Sequence, residues 1–462
     1  MKITMKSYKY IIVVIIGLIL ISCSRDQQDP GEVVVRVDRR KFRKDEIAFA
    51  YELAPSQLTK LGKNKALDLL TKKMINRKLL ADEAKTRDLD RDSLNQRFVN
   101  YYEKAEIMRQ LYLKHIRDSV NISEKELKKA FHRDKQVLLV KHYVTDNREL
   151  AARLHRDNNI PEHIPLLGGT RAKKHSEFGY IDSIEWNTLD TRIEDLLYNL
   201  PLAETSQPVR LGGHFHLFKV VDKNINVFNR KSEYFARKSS IESTIRRRRE
   251  HNKAFRFVKR VMTPQNLVLK GKTLNKLADY LYTQYQNSDR PNIKIKNNEI
   301  NLDNLKATGF FDSRLADYRS GSLNVSDFFF YNRINPQSLT IKSKSAIRND
   351  LADIIAIYVR DEVFAQLGEK EGLDKMPQVK RERQKWEEKI LANRLKRELY
   401  QNAVAKSNDD EKATIDYQEE LKELITHLRN NADIRINKEK LYNIETTDEG
   451  LPRKIDFFAK TL

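Results

Sequence analysis

Eight consecutive residues, Val137-Leu138-Leu139-Val140-Lys141-His142-Tyr143-Val144, constrain this chain more than any other stretch. They form a β-branched, apolar run too short for a buried helix, set in a sequence whose other apolar residues recur mostly at helical spacing. The run predicts a buried strand, and a strand needs partners. Phe178–Ile181 and Phe215–Val221 read as two further strands, with helical stretches at Arg148–Arg156 and Ile193–Leu200 between them. Breaks at Gly168-Gly169, Pro201 and Gly212-Gly213 separate the pieces. A compact α+β domain of residues 137–223 follows, within the usual domain size.

Helical patterning dominates on either side. Ile47, Ala50, Tyr51 and Ala54 keep i, i+3, i+4, i+7 spacing, and Ala66 to Ala84 carry a wide apolar stripe that asks for packing on more than one side. Leu94–Ile116 is a further helix. Ser123 and Glu126 predict a capping box, with Ile122 stapling to Leu127. Residues 38–133 are therefore expected as one helical unit and 302–430 as a second. A short strand at Glu32–Val37 precedes the first unit. Residues 224–301 hold a helix from Ser239 to Met262 and a polar, Asn/Lys-rich linker at 286–300, and 431–462 form a C-terminal segment. With only 14 Gly and 11 Pro in 462 residues, an all-β or disordered chain is excluded. The fold class is α+β, with mainly helical units flanking one small α+β domain. Met74–Leu111 and Tyr358–Leu395 share an apolar helix, an Arg-Asp-Leu-Asp or Glu-Gly-Leu-Asp turn and a second aromatic-bearing helix, the pattern of a duplicated hairpin.

The N-terminus bears on location. Lys2, Lys6 and Lys9 precede the apolar run Ile11–Ile21, and Leu20-Ile21-Ser22-Cys23 ends it. The run is short for a bilayer span, and Cys23 is the only cysteine, so no disulfide can form within the chain. The segment looks like a bacterial lipoprotein signal peptide: residues 1–22 removed, Cys23 acylated, and residues 23–37 a tether and short strand. Acyl chains would hold the protein to a membrane from outside the cytoplasm. Removing 1–22 lowers the formal charge from +22 to +19. Such charge suits nucleic acid, anionic lipid or acidic polypeptides. Nucleic acid is excluded as a partner by location and by the lack of an aromatic-interleaved motif. The sharpest basic run, Arg246–Arg249, reads as a solvated helix face.

The order of parts resembles the SurA/PrsA-like periplasmic foldases, in which a parvulin-family (PpiC) peptidyl-prolyl isomerase domain is joined to chaperone helices. Leu139–Val144 is similar to the family's first strand with its histidine, His142. Leu200–Val209 resembles its helix-end-and-loop segment, and Gly213–Val220 its closing strand, with the second histidine at His216. Residues 44–133 and 322–430 look like the foldase N-terminal region. The resemblance implies His142 and His216 as catalytic or as core histidines, Leu189, Ile193 and Phe215 as peptide-binding, and no cofactor or metal. His214 and His216 share a strand face but lack a third ligand. Departures stand beside it: Gly169 falls where the family has cysteine or aspartate, Ile193 where a phenylalanine walls the proline pocket, and Leu211 where serine or threonine stands.

The expectation is an extracytoplasmic lipoprotein chaperone of unfolded secreted or outer-membrane polypeptides. It would sit in the periplasm, anchored in the inner leaflet of the outer membrane, with or without isomerase activity. The rival is a structural envelope lipoprotein that scaffolds a complex.

Overall fold

The computed structural model describes residues 32–166, 172–175, 177, 179–225, 231–288, 290–295, 300–407 and 409–445. Cys23, the segment 1–22 and Gly169 lie outside them. The described residues form two compact units: 32–112 with 264–445, and 113–263.

The first unit opens with strands β1 (Val33–Val37) and β2 (Arg40–Arg43). Asp38, at φ 50°, makes the tight turn between them. Val34, Val35, Val37 and Phe42 enter the core. β2 runs into helix α1 (Lys44–Glu52), whose start is closed by Glu46 accepting from the Arg43 backbone N–H at 3.0 Å. Helix α2 (Lys63–Thr86) ends at left-handed Asp88, a 3-10 turn covers Leu89–Arg91, and helix α3 (Ser93–Tyr112) follows.

The second unit begins with a π-turn at Leu113–Arg117 and helix α4 (Glu124–Asp134). The expected capping box is present: Ser123 Oγ accepts from the Glu126 N–H, and Glu126 accepts from the Ser123 N–H at 2.9 Å. Strand β3 (Gln136–Thr145), helix α5 (Arg148–Arg156), strands β4 (Ala172–His175) and β5 (Gly179–Ile184), helix α6 (Thr191–Asn199), and strands β6 (Val209–Leu211) and β7 (His214–Ile225) follow. The five strands form one antiparallel sheet in the order β4-β5-β3-β7-β6. Apolar side chains leave both faces of β3 and β7. Leu138, Val140, Phe218 and Val220 pack under Ile193 and Leu197 of α6, while Leu217 packs under Ala151 and Leu154 of α5.

Helix α7 (Lys231–Met262) starts eight residues before the expected Ser239 and packs on α4. Its arginine run departs from the solvated face expected of it. Arg248 binds Glu194, which is 1% exposed, at 2.7 Å and the Leu189 carbonyl at 3.0 Å. Arg249 binds Glu126 and the Asn121 carbonyl, and Arg246 reaches the Val120 carbonyl at 3.4 Å. Spacing along a helix puts 246 and 249 together on one side, where the segment leading into α4 and Glu126 on α4 supply the acceptors. The run is thus partly tied down: Arg248 reaches a buried carboxylate, Arg246 and Arg249 are bonded but half exposed, and Arg247 faces solvent. The carboxyl of Glu126 is held down at about 2, first by the Ser123 N–H and then by Arg249.

The chain returns to the first unit through β8 (Val268–Leu269), α8 (Gly271–Tyr285), β9 (Asn292–Lys294) and α9 (Leu302–Ala307). β9 lies in the stretch expected as a linker. Then come β10 (Arg314–Tyr318), β11 (Gly321–Asn324), α10 (Val325–Ile334), β12 (Ser338–Thr340), α11 (Lys344–Lys370), α12 (Pro377–Lys406), α13 (Asp410–Asn431), β13 (Ile434–Ile436) and α14 (Lys438–Tyr442). A left-handed Gly372 and a 3-10 turn at Leu373–Lys375 join α11 to α12.

The duplicated hairpin is wider than its sequence signal. A β-hairpin, a helix with a capping box, a long helix, a left-handed residue, a 3-10 turn and a second long helix occur in that order twice, at β1–α3 and at β10–α12. The long helices of the copies pack crosswise: α2 on α12, α11 on α3, and α3 on α12 at the centre. Segments 38–112 and 302–430, expected as parts of two separate helical units, therefore share one core, and 113–133 belongs with the second unit. The physical reason is the wide stripe on each hairpin, which its own partner helix cannot cover. Small residues set the crossings. A Cβ on Gly368 of α11 would stand 2.3 Å from Ile107 Cγ2 of α3, whereas the equivalent crossing packs Ala84 against Leu391. Ile107 is 1% exposed and β-branched, so it has no free rotamer to retreat to. Far along the chain, β13 pairs with β1 at Val35↔Ile436, and Leu441 and Ile444 close that core.

Candidate functional site

β3 and β7 pair antiparallel with His142 opposite Phe218 and Val144 opposite His216. Side chains alternate across a strand, so His142, His216 and Phe218 share the sheet face beneath α6. The His142 Nε2 and His216 Nδ1 atoms are 2.9 Å apart, with ring centroids at 5.1 Å. Phe218 stacks on His142 at 4.9 Å.

Hydrogen bonds set the tautomers. His142 Nδ1 lies 2.7 Å from the Ile164 carbonyl, which only accepts, so Nδ1 donates. In the neutral ring Nε2 must then accept, and His216 Nδ1–H supplies the proton. His163 Nδ1 accepts the His142 backbone N–H at 3.2 Å, which puts the proton of neutral His163 on Nε2. That atom faces Asp182 Oδ2 at 3.5 Å, and Asp182 is fully buried and also accepts the Leu166 N–H at 2.8 Å.

Burial keeps the imidazoles uncharged. It pushes His142 down to about 4, against the pull of the Ile164 bond and with help from the neighbouring His216 and His163. Burial also lowers His163, opposed by Asp182, and His216, opposed by a bond to the Leu211 backbone. With their imidazoles neutral, the histidines form a floor of oriented donors and acceptors, with Asp182 beside them on the same sheet face. Among the described residues it offers no hydroxyl or thiol activated by a hydrogen bond to these histidines.

Of the residues singled out in sequence, the structure brings His142 and His216 into direct contact. Ile193 is 7% exposed and belongs to the core under α6. Leu189 packs at the edge of that core, with its N–H on Glu194 at 3.1 Å. Phe215 points through the opposite face and packs with Leu217, Ala151 and Leu154, across the sheet from the histidines. The alternation that aligns His214 with His216 requires this. His214 binds Asp146 at the start of β7. His163 and Asp182 were not anticipated. One local signal exists: Asp182 sits between Ile181 and Ile184 on a strand, at an inward position where a carboxylate needs a partner.

No family model matches the chain, and no curated protein matches it. Solved structures described as foldases or chaperones are among those similar to it. The peptidylprolyl isomerase PrsA of Bacillus cereus shares 16% identity over 60% of this chain and 99% of its own, with a TM-score of 0.22. A Campylobacter jejuni chain, from the pair PEB4 and Cj1289 described as SurA-like chaperones, shares 15% over 48% of this chain and 93% of its own, at 0.21. PrsA of Bacillus anthracis shares 16% over 45% and 82%, at 0.20.

Proposed function

We propose that this chain is an extracytoplasmic, lipid-anchored chaperone for unfolded secreted or outer-membrane polypeptides, with a parvulin-type domain whose isomerase activity is weak or absent. The observation that carries the reading is the bonded His142–His216 pair on the paired strands β3 and β7. Twisting a prolyl bond meets a barrier of about 18–20 kcal/mol from amide resonance. Lowering it takes an apolar seat for the ring and a preorganised polar surface for the amide, with no metal or nucleophile. The histidine floor supplies the second requirement. Ile193, buried in the core, does not supply the first.

A missing wall of that size costs about 1–3 kcal/mol of binding, or roughly one to two decades of rate if felt in the transition state. A proline-peptide isomerisation assay run beside an unfolded-client aggregation assay tests this. The expected outcome is suppressed aggregation with isomerisation at least tenfold below an active parvulin. His142→Ala and His216→Ala should weaken the fold more than they change client protection. Rapid turnover that collapses in either variant with the fold intact would restore the ordinary enzyme. A stable complex with one partner and no effect on aggregation would favour the scaffold.

Anchoring rests on Cys23 and the apolar run before it, with the inner leaflet of the outer membrane as the proposed site. Cys23→Ala should accumulate as unprocessed precursor. An intact mass showing a mature wild-type chain without acyl groups overturns the anchor.

A further inference from the structure

Two grooves in the first unit occupy equivalent places in its two copies, and their chemistry differs. One lies between β11, α10 and α11 on one side and α3 on the other. The second, about 650 Å³, lies between β2, α2 and α12. Positions 284 residues apart correspond: Lys78 matches Glu362, Arg381 matches Arg97, and Glu388 matches Lys104. In the first groove the charges cancel. Arg97 pairs with Asp327 at 2.9 Å and Lys104 with Glu362 at 2.6 Å, beneath Tyr101, Tyr331 and Phe330.

In the second groove seven Lys and Arg side chains face three carboxylates, and no aromatic residue lines it. Those carboxylates are already engaged: Asp82 with Lys78, Glu387 with Lys85 at 2.7 Å and Glu388 with Arg40 at 2.9 Å. The surplus sits along β2 and the turn before it. Arg39 and Lys41 are exposed and make no ion pair among the described residues.

We propose that this groove binds an extended, acidic stretch of an unfolded polypeptide laid along β2. Three features select that ligand. Arg39, in the turn before β2, and Lys41, on β2, are two exposed cations on one wall of the groove, placed to meet more than one carboxylate of a peptide. β2 is the edge of the sheet β13-β1-β2, so its outer side has no strand partner among the described residues. The site is concave and flanked by two helices, a shape a chain enters and a flat bilayer surface does not. The net positive charge of the whole chain steers acidic segments toward it. The inference rests on the chaperone reading and names the chemistry of the client.

The test uses the full mature chain and fluorescence anisotropy with a labelled 12-residue peptide of alternating Glu and Ser, and its Gln counterpart. The Glu peptide should bind at least tenfold tighter than the Gln peptide, and 0.5 M salt should remove the difference. Arg39→Glu/Lys41→Glu should weaken the Glu peptide at least tenfold. Arg348→Glu, at an exposed position on α11, should not. If the double Glu variant misfolds by circular dichroism, Arg39→Gln/Lys41→Gln replaces it, with a smaller loss in the same direction. Equal affinity for the two peptides, or unchanged affinity in the double variant, overturns the proposal. So does a double variant that loses binding to phosphatidylglycerol vesicles but keeps the peptide, since the groove would then read lipid. A wild-type chain that protects a neutral unfolded client yet ignores the Glu peptide overturns this inference alone. Failure of both overturns the chaperone reading.

Discussion

Replacing Arg40 by Met should cost the first unit about 3 kcal/mol of stability. The chain has two tryptophans, Trp186 in the second unit and Trp386 in the first. Denaturant unfolding of a Trp186→Phe background, followed by Trp386 fluorescence, therefore reads the first unit alone. Arg40 is 6% exposed. Its Nε donates to Glu388 Oε1 and its Nη2 to Glu46 Oε1, both at 2.9 Å, and its Nη1 donates to the Lys41 carbonyl at 2.8 Å. The guanidinium also covers the Phe42 ring at 4.5 Å. Burial alone pushes the Glu388 carboxyl up, and Arg40 leads the groups that oppose it. Without Arg40 a carboxylate 5% exposed keeps only the more distant attraction of Arg77 and Lys78, which places the cost at the low end of the range for a broken buried pair. Arg40→Met/Glu388→Leu should recover part of the loss, because Glu388 is then no longer left buried without its main partner, while Glu46 still loses Arg40 and Arg77 loses Glu388. Breaking the exposed pair Arg91–Asp88 should cost about 0–1 kcal/mol. A single and a double variant of equal stability would show that Glu388 carries no penalty.

Lowering the pH from 7.5 to 5 should remove about 2 kcal/mol from the second unit through His142 alone, measured by Trp186 fluorescence in a Trp386→Phe background. The native ring titrates at about 4 against an ordinary 6.5. Between those values the unfolded chain binds the proton and the native site does not, so stability rises with pH across that window. The contribution is complete above about 6.5 and gone below about 4, with a full size of about 3 kcal/mol. His163 and His216 are lowered too and act in the same direction. His142→Phe should flatten the profile while lowering its neutral-pH plateau, because the Ile164 carbonyl loses its donor. A wild-type profile flat from pH 7.5 to 5 would mean that His142 titrates normally in the native state.

Features that depend on neighbouring residues were legible in sequence. The Ser123–Glu126 capping box needs only four residues, and the strand at Val137–Val144 only its own composition. The repeat of Met74–Leu111 at Tyr358–Leu395 was visible because each hairpin encodes its own turn, with a left-handed Asp88 or Gly372 before a 3-10 turn. The histidine pair was legible through the likeness of its two strands to a known pattern. Even Phe215's separation from His216 follows from strand alternation, although the residue type suggested a pocket.

Tertiary structure alone decided which surfaces meet. A wide apolar stripe says that a helix needs more cover, and not that the cover for α2 comes from α12, some 300 residues later. The charge of Arg246–Arg249 is sequence; that Glu126 and Glu194 neutralise two of the four is packing. His163 and Asp182 carry no joint signal, because a loop and a strand bring them together only once the sheet has closed. The two grooves share one backbone plan, and the ion pairs across the copies leave one neutral and the other basic. Local order is set by bonds within a turn of helix or a few strand residues. Burial, pairing of charge and the depression of a histidine's titration arise from desolvation by residues distant in sequence, which no short window of the chain contains.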